Sequence, residues 1–324
     1  MKNKKETFYT FLFKDDNAES LWVRNYVQLL EVSVNSLQFF STRKIIIFTN
    51  IEIPFNYPNM EVIRFEMEKD LPLPNRIVQP NDHSNDTAAS FAYYKMEKSL
   101  QLLKEGYEKV VWIDSDAIAT KYIDNIWDKD IEDLNYPLTK RHTYQYLIQH
   151  QDGKSYSDAP WMDCEDLSGD LMEYLGVKEI TLWSSFFSFF LSHKNCISFW
   201  EEALDSFQKA LRDNVSMPYV LETFVNVMLW KYKASVSISE DLSCIDLDPN
   251  LDYPFDLDDL FNNDSKSIKK IEHGNAYFSE WLCVPQNKEN ILFIHGIKKP
   301  KTAEWVFEKY INDIVMLGGN KKIL

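Results

Sequence analysis

The stretch that decides the fold is residues 109–116, which read Lys-Val-Val-Trp-Ile-Asp-Ser-Asp. The pattern predicts a strand over residues 109–113, because residues 110–113 are continuously apolar, as in a parallel strand buried on both faces of its sheet. Asp114 and Asp116 follow that strand at once. In open α/β sheets, ligands bind just beyond the carboxyl ends of the strands. The sequence therefore predicts a ligand site at this strand end.

N-terminal to this strand, continuous apolar runs alternate with segments whose apolar residues recur at helical spacing. The pattern predicts further strands at residues 8–13, 44–49 and 60–65, and helices at residues 21–40 and 88–104. Residues 71–86 are rich in Pro, Asn and Asp, so we expect a loop there. Because strands and helices follow each other in the order of parallel crossovers, we expect an α/β fold with a mostly parallel central sheet flanked by helices.

The second half of the chain is less regular. Its pattern predicts strands at residues 180–192 and 291–294, and helices at residues 196–211, 219–232 and 302–317. We expect the polar segments 136–166 and 241–264 to be long irregular segments. The whole chain of 324 residues is expected to form one domain, with residues 1–135 and 136–324 as its two halves.

Composition indicates a well-packed protein without a nucleic-acid partner. Hydrophobic residues make up 45% of the chain and aromatic residues 15%, which excludes a disordered chain. The net charge is −15, whereas a protein that binds nucleic acid needs a basic face. No apolar stretch reaches the roughly 18–20 residues of a transmembrane segment. The polar residues 1–6 do not resemble a secretory signal.

The four cysteines indicate a reducing compartment. They lie far apart and show neither a paired motif nor zinc-ligand spacing, at Cys164, Cys196, Cys244 and Cys283. We therefore expect reduced thiols and a cytoplasmic protein, soluble or at most peripheral to a membrane.

The acidic pair after the strand suggests a metal site. Asp114 and Asp116 can project to one side of a turn, and Mg²⁺ or Mn²⁺ commonly takes one or two carboxylates together with substrate phosphates. The chain has only 8 glycines, which argues against a Gly-rich phosphate loop. The alternative is structural, because aspartates also begin turns and cap helices.

A second group of polar residues follows the last predicted strand. His295 can supply a nitrogen ligand to the same ion, and an imidazole suits Mn²⁺ better than Mg²⁺. Gly296 allows a close backbone approach, and Lys298 or Lys299 can neutralise a diphosphate leaving group. Because both groups end buried strands, we expect them to meet at one edge of a sheet.

At these residues the chain resembles the GT-A-fold glycosyltransferases, most closely glycosyltransferase family 8, the glycogenin-like and lipopolysaccharide galactosyltransferase-like group. The resemblance is carried by residues 106–117, by the Asp/Asn turn in residues 11–17, by Lys95, by residues 222–226 and by the Gly-x-x-Lys-Pro pattern of residues 296–300. Two departures stand out. The family has Asn-Ser-Gly or Asn-Ala-Gly where this chain has Trp-Ser-Ser at residues 183–185, and its histidine lies three residues before the glycine. The adjacent His295 and Gly296 are closer to the ending of the collagen lysyl glycosyltransferases.

The resemblance implies roles for individual residues. It implies a Rossmann-like GT-A domain whose first half binds the nucleotide sugar and whose smaller second half faces the acceptor and carries the metal and phosphate motif. Implied metal ligands are Asp114, Asp116 and His295. Implied donor-binding residues are Thr10, Phe13, Asp15, Asn17, Lys95, Asp114, Ser115, Gly296, Lys298 and Lys299. Implied catalytic residues are Glu222, Asn226 and Ser185.

The expected activity is transfer of a hexose from a UDP-sugar, UDP-glucose or UDP-galactose, to a hydroxyl of a glycan, a lipid-linked glycan or a protein. Family 8 implies retention at the anomeric carbon. Two alternatives stay open at this point. A nucleotidyltransferase or metal-dependent phosphohydrolase could use the same aspartate pair, and an inactive relative could bind sugars without turnover.

Overall fold

The computed structural model describes residues 6–14, 20–66, 85–128, 135–142, 164–180, 183–185, 189–217, 220–233, 243–246, 272–273, 276–277, 291–295 and 304. The strands are β1 Glu6–Leu12, β2 Lys44–Thr49, β3 Met60–Arg64, β4 Lys109–Ile113, β5 Ile118–Ala119, β6 Lys140–His142, β7 Trp183–Ser185, β8 Phe189–His193, β9 Ser243–Asp246, β10 Glu272–His273, β11 Ala276–Tyr277 and β12 Ile291–His295. The helices are α1 Ser20–Phe40, α2 Asn85–Lys104, α3 Cys164–Leu175, α4 Ile197–Arg212 and α5 Val220–Lys231, with 3₁₀ turns at Ile123–Ile126 and Lys194–Cys196.

The central sheet has five strands in the order β3-β2-β1-β4-β8. The β2–β3 and β1–β4 pairs are parallel, whereas β8 runs antiparallel to β4 at one edge. The prediction of an α/β fold with a mostly parallel central sheet is therefore confirmed. Strands β1 and β4 are buried along their whole length, as their apolar sequences predict.

The chain forms two compact units. The first comprises Met1–Tyr9, Glu66–Ile113 and Trp127–Leu242, and the second comprises Thr10–Phe65, Asp114–Ile126 and Ser243–Leu324. The single-domain expectation and its two halves stay a prediction.

In the first unit, helices cover β4 and β8. Helix α2 packs against β4, α4 and α5, and α3 packs against α5. The core is aromatic, with Trp112 stacked on Phe190 and Phe207 packed edge-to-face against Phe224. Cys196 is a buried free thiol, and burial raises its pKa to about 12.

In the second unit, α1 packs against the short strand β5. Ser36 connects them, because its hydroxyl accepts a hydrogen bond from the Ala119 backbone N–H at 2.8 Å. The same hydroxyl donates to the Ser33 carbonyl at 2.7 Å. Strand β5 belongs to a second sheet of three strands, in the order β5-β12-β9.

Several element predictions need correction. The predicted strand over residues 180–192 is two strands, β7 and β8, of which only β8 joins the central sheet. Helix α3 lies partly within the segment expected to be irregular, because Ser168 and Gly169 weaken its helical pattern. Strands β6 and β9 also lie in segments expected to be irregular, since both are too short to give a period.

Other predicted elements agree closely or fall outside the description. The bounds of β2 and β4 are those predicted, and α2 begins three residues early, at Asn85. The predicted closing helix over residues 302–317 lies outside the described residues except for Glu304, as does the loop over residues 71–84. None of the described helices combines the length and the apolar character that a bilayer crossing requires.

Substitution of Ser36 tests the connection between α1 and β5. We expect Ser36→Ala to lower the free energy of unfolding by about 1–3 kcal/mol, because it leaves the Ala119 N–H buried without its acceptor. Urea unfolding followed by circular dichroism measures the change. Ser206→Ala, at a half-buried position of α4, is the control and should change stability by less than about 0.5 kcal/mol. Equal stability of the two variants would contradict the assigned role.

Candidate metal centre and donor-binding residues

A tight turn after β4 positions the two aspartates. The Ala117 N–H donates to the Asp114 carbonyl at 3.1 Å, which closes a four-residue turn. The Asp114 carboxylate accepts a hydrogen bond from the Ser115 N–H, also at 3.1 Å. The alternative that Asp114 begins a turn is therefore correct. These two hydrogen bonds do not use the Oδ2 atom of Asp114 or the side chain of Asp116.

Antiparallel pairing of β5 with β12 carries the histidine to this turn. Phe293 lies opposite Ala119, and Ile294 lies opposite Ile118. One further step of the same register sets His295 opposite Ala117, next to Asp116 in the chain. The expectation that both groups end strands of one sheet is wrong, since β12 belongs to the three-stranded sheet and β4 to the central one. The turn between β4 and β5 connects the two sheets and so brings the three side chains together.

The three side chains form a compact group of ligand atoms. The Nε2 atom of His295 lies 3.3 Å from Oδ1 of Asp116 and 3.9 Å from Oδ2 of Asp114. One ligand atom from each residue lies within 4.8 Å of the others. Asp116 is buried, with 9% of its side chain exposed, whereas Asp114 keeps 28% and His295 keeps 15%.

This group fits a divalent cation. Octahedral ligands about 2.1 Å from an ion lie about 3 Å apart at right angles and about 4 Å apart across it. The separations from His295 Nε2 to the two carboxylates are close to that range. Two carboxylate oxygens and an imidazole nitrogen suit Mn²⁺, and the partly open side leaves room for substrate oxygens or water. The structure thus supports a metal centre at the predicted residues, although the ion itself is not fixed by them.

The charges of the cluster also affect the pKa of Tyr26, a residue of α1. Burial raises the pKa of Tyr26, on α1, well above its ordinary value, and the negative charges of Asp116 and Asp114 raise it further. His295 acts in the opposite direction. Tyr26 lies within the helix predicted over residues 21–40, and the local sequence gives it no link to the site.

Five of the predicted donor-binding residues lie within described segments, and one of them, Asp114, also belongs to the cluster described above. Thr10 and Phe13 are buried, and Phe13 packs against Phe11 and Phe65 at ring distances of 5.3 and 6.4 Å. The Thr10 hydroxyl is buried without a hydrogen-bond partner in the part of the chain that the structure describes. Ser115 is a buried residue of the aspartate turn.

Lys95 is also buried, on α2, in the first unit. Its Nζ atom lies 4.7 Å from the centre of the Trp112 ring, within the range of a cation–π contact. The Tyr9 hydroxyl donates to the Lys95 carbonyl at 3.0 Å, which fixes the helix against β1. The remaining predicted donor residues lie outside the described residues, namely Asp15, Asn17, Gly296, Lys298 and Lys299.

The predicted catalytic residues lie in the first unit. Glu222 and Asn226 are buried on α5, where the Asn226 side-chain amide donates to the Glu222 carbonyl at 2.8 Å. Ser185 ends β7, and α5 packs against that strand. An alternative for Glu222 is an ordinary acid that the helix dipole favours at a helix N-terminus. Such acids are mostly exposed, so the burial of Glu222 argues against that alternative.

Among solved structures, the chain is similar to a galactosyltransferase. The structure is a crystal structure of the galactosyltransferase LgtC in complex with donor and acceptor sugar analogs. The similarity covers 98% of this chain and 98% of that one, with 12% sequence identity and a TM-score of 0.49. No protein-family model and no curated protein sequence matches the chain.

Direct metal binding tests the cluster. We expect Asp114→Asn to weaken Mn²⁺ binding at least about tenfold, because it removes an anionic ligand. Electron paramagnetic resonance of free Mn²⁺ during a titration measures the affinity. Asp124→Asn is the matched control, since Asp124 lies in the same unit but accepts a hydrogen bond from Ser41 at 2.6 Å instead. Equal losses in both variants, or none in either, would reject this cluster as the binding site.

Proposed function

We propose that the chain is a metal-dependent glycosyltransferase that moves a hexose from a UDP-sugar, UDP-glucose or UDP-galactose, to a hydroxyl of a glycan, a lipid-linked glycan or a protein. The observation that carries this proposal is the grouping of Asp114, Asp116 and His295 at the end of a buried strand of an α/β sheet. The sequence resemblance to family 8 glycosyltransferases supports it, because Asp114 and Asp116 match that family's metal-binding aspartates, although the spacing of His295 and Gly296 departs from the family pattern.

In this reaction the site must stabilise the nucleoside diphosphate as it leaves the sugar. Sugar transfer passes through an oxocarbenium-like transition state, and negative charge develops on the leaving phosphate. A divalent cation held by the three residues supplies Lewis-acid stabilisation of that charge. Mn²⁺ is the proposed ion because of the imidazole ligand, with Mg²⁺ as the alternative.

The chain's own residues bind and orient the donor in this proposal. Asp114 and Ser115 contact the ribose and phosphates from the turn. Thr10 offers a buried hydroxyl. Lys95, Lys298 and Lys299 supply positive charge to the diphosphate. Asp15, Asn17, Phe13 and Gly296 complete the proposed donor site.

Glu222, Asn226 and Ser185 are proposed to act on the sugar and the acceptor. Glu222 is the strongest of the three, because it is a buried carboxylate in the first turn of α5. We propose that Glu222 stabilises positive charge at the anomeric carbon.

Hydrolysis of the donor tests the proposed reaction. We expect Mn²⁺-dependent release of UDP from UDP-glucose or UDP-galactose, because water replaces the acceptor in a slow side reaction. Asp116→Asn should abolish the release, and His295→Ala should lower it by about tenfold to a thousandfold through loss of one electrostatic contributor. Coupled UDP detection measures the rate, and circular dichroism checks that both variants fold. Unchanged rates in both variants would reject the assigned site.

The same assay separates the alternatives. A phosphohydrolase would release phosphate from UDP or from a phosphate monoester, and a nucleotidyltransferase would form a nucleotide sugar from UTP and a sugar phosphate. A sugar-binding protein without activity would be stabilised by UDP-sugars without turning them over. If one of these results were obtained and no UDP were released from a UDP-sugar, the corresponding alternative would be correct and the proposal wrong.

Substitution of Glu222 tests the proposed catalytic residue. We expect Glu222→Gln to lower kcat for UDP-sugar hydrolysis by about a hundredfold or more while the thermal shift caused by UDP and Mn²⁺ is unchanged. Steady-state kinetics and thermal unfolding provide the two readouts. Glu202→Gln, an acid of α4 that pairs with Lys231 at 2.9 Å, is the control and should keep normal kcat. Unaltered kcat in Glu222→Gln would remove it from the catalytic residues.

A further inference from the structure

Lys95 is held at both ends by two residues of the central sheet. Its Nζ atom lies 4.7 Å from the centre of the Trp112 ring, and its backbone carbonyl accepts the hydrogen bond from Tyr9 at 3.0 Å. Tyr9 and Trp112 are partners in the parallel pairing of β1 with β4, so their side chains lie on the same face of the sheet. All three residues belong to the first unit, where α2 packs against β4.

The Tyr9 hydroxyl fastens the backbone of α2 at Lys95. It is completely buried and lies 2.7 Å from the hydroxyl oxygen of Ser99. Because Tyr9 gives its single proton to the Lys95 carbonyl, the Ser99 hydroxyl donates to Tyr9. Burial raises the pKa of Tyr9 well above its ordinary value, so the hydroxyl keeps this proton at neutral pH.

The Trp112 ring limits where the other end of Lys95 can lie. The ring is almost completely buried, and the Tyr9 ring packs edge-on against it at 5.4 Å. An indole face attracts an ammonium group more strongly than other aromatic rings do, and burial of both partners strengthens the contact. A lysine side chain otherwise has many rotamers. The ring therefore reduces the number of positions that the ammonium group occupies.

The contact lies near the carboxyl end of a parallel strand. Trp112 is the penultimate residue of β4, which is Lys109–Ile113. In open α/β sheets, ligands bind just beyond such strand ends. The ring thus keeps a positive charge close to the place where an anionic ligand of this fold is expected.

We propose that Trp112 is a positioning residue of the donor site, whose indole face holds the Lys95 ammonium group in place for the diphosphate of the nucleotide sugar. This inference rests on the proposed function, which assigns Lys95 to the diphosphate. With both ends of the lysine held, the donor meets an ammonium group that is already oriented. The indole is uncharged, so it orients the ammonium group without neutralising it, whereas a carboxylate at that position would neutralise it.

The test compares the affinity of Trp112→Leu for UDP and for uridine, which has no phosphate. We expect the affinity for UDP to fall about threefold to tenfold, because binding must now immobilise the lysine side chain, and the affinity for uridine to change less than about twofold. Isothermal titration calorimetry measures both. A merely structural role would weaken both ligands equally. That result, or an unchanged or higher affinity for UDP, would overturn the inference.

Trp200→Leu is the matched control. Trp200 is another completely buried tryptophan of the first unit, and its Nε1 atom donates to the Ser192 hydroxyl at 3.0 Å. The control should lower the melting temperature as Trp112→Leu does, but it should keep the ratio of UDP affinity to uridine affinity. An equal change of that ratio in both variants would assign the effect to lost packing and refute the role of Trp112.

Lys95→Met separates failure of this inference from failure of the proposed function. If the unaltered chain binds no UDP, the proposed function is wrong and the inference falls with it. If Lys95→Met weakens UDP but not uridine while Trp112→Leu weakens neither, Lys95 keeps its donor role and the role of Trp112 is wrong. In the Lys95→Met background, Trp112→Leu should cause no further loss of UDP affinity, since the two residues act as a pair. A further loss as large as in the unaltered chain would contradict the pairing.

Should Trp112→Leu not fold, a crystal structure of the unaltered chain with UDP decides. The Lys95 Nζ atom must then lie within about 6 Å of the Trp112 ring centre and within about 3.2 Å of a phosphate oxygen. A lysine that has left the ring, or that does not reach the phosphate, overturns the inference.

Discussion

Pairing of β5 with β12 is the constraint on which the candidate site depends. Two residues of β5 suffice to align the strands, and their register carries His295 to the turn that holds Asp114 and Asp116. Further support comes from the Thr120 N–H, which donates to the Leu292 carbonyl at 2.9 Å. Without this pairing, the turn would hold two carboxylates and no nitrogen ligand.

The cluster is costly for the protein to build without a cation. Its carboxylates are near each other, and Asp116 is almost completely enclosed. Buried like charges favour protonation, rotation or the arrival of a counter-ion. A bound divalent cation would compensate both carboxylates at once. The short distances from His295 Nε2 to the two carboxylates fit such a site.

How far the sequence predicts the structure depends on whether a feature is local. The bounds of β2 and β4 follow from continuous apolar runs, which leave few other arrangements. The sheet that β12 joins could not be predicted, because a four-residue apolar run looks the same in either sheet. Strand pairing depends on segments that are distant in the sequence, so a local pattern does not determine it. Helix α3 escaped prediction because Ser168 and Gly169 interrupt its helical preference.

The candidate site shows the same difference between local features, which the sequence predicts, and non-local features, which it does not. Asp114, Asp116 and His295 could be found because each directly follows or ends an apolar strand, and strand ends are where α/β proteins place ligands. The pairing of β5 with β12, which brings these residues together, could not be predicted, because β5 has only two residues.

Anomalous scattering from a crystal grown with Mn²⁺ and UDP tests the central claim most directly. The account predicts one manganese peak within about 2.5 Å of a carboxylate oxygen of Asp114, a carboxylate oxygen of Asp116 and Nε2 of His295, with diphosphate oxygens on its open side. A peak bound elsewhere, or these three side chains apart with no ion between them, would contradict it.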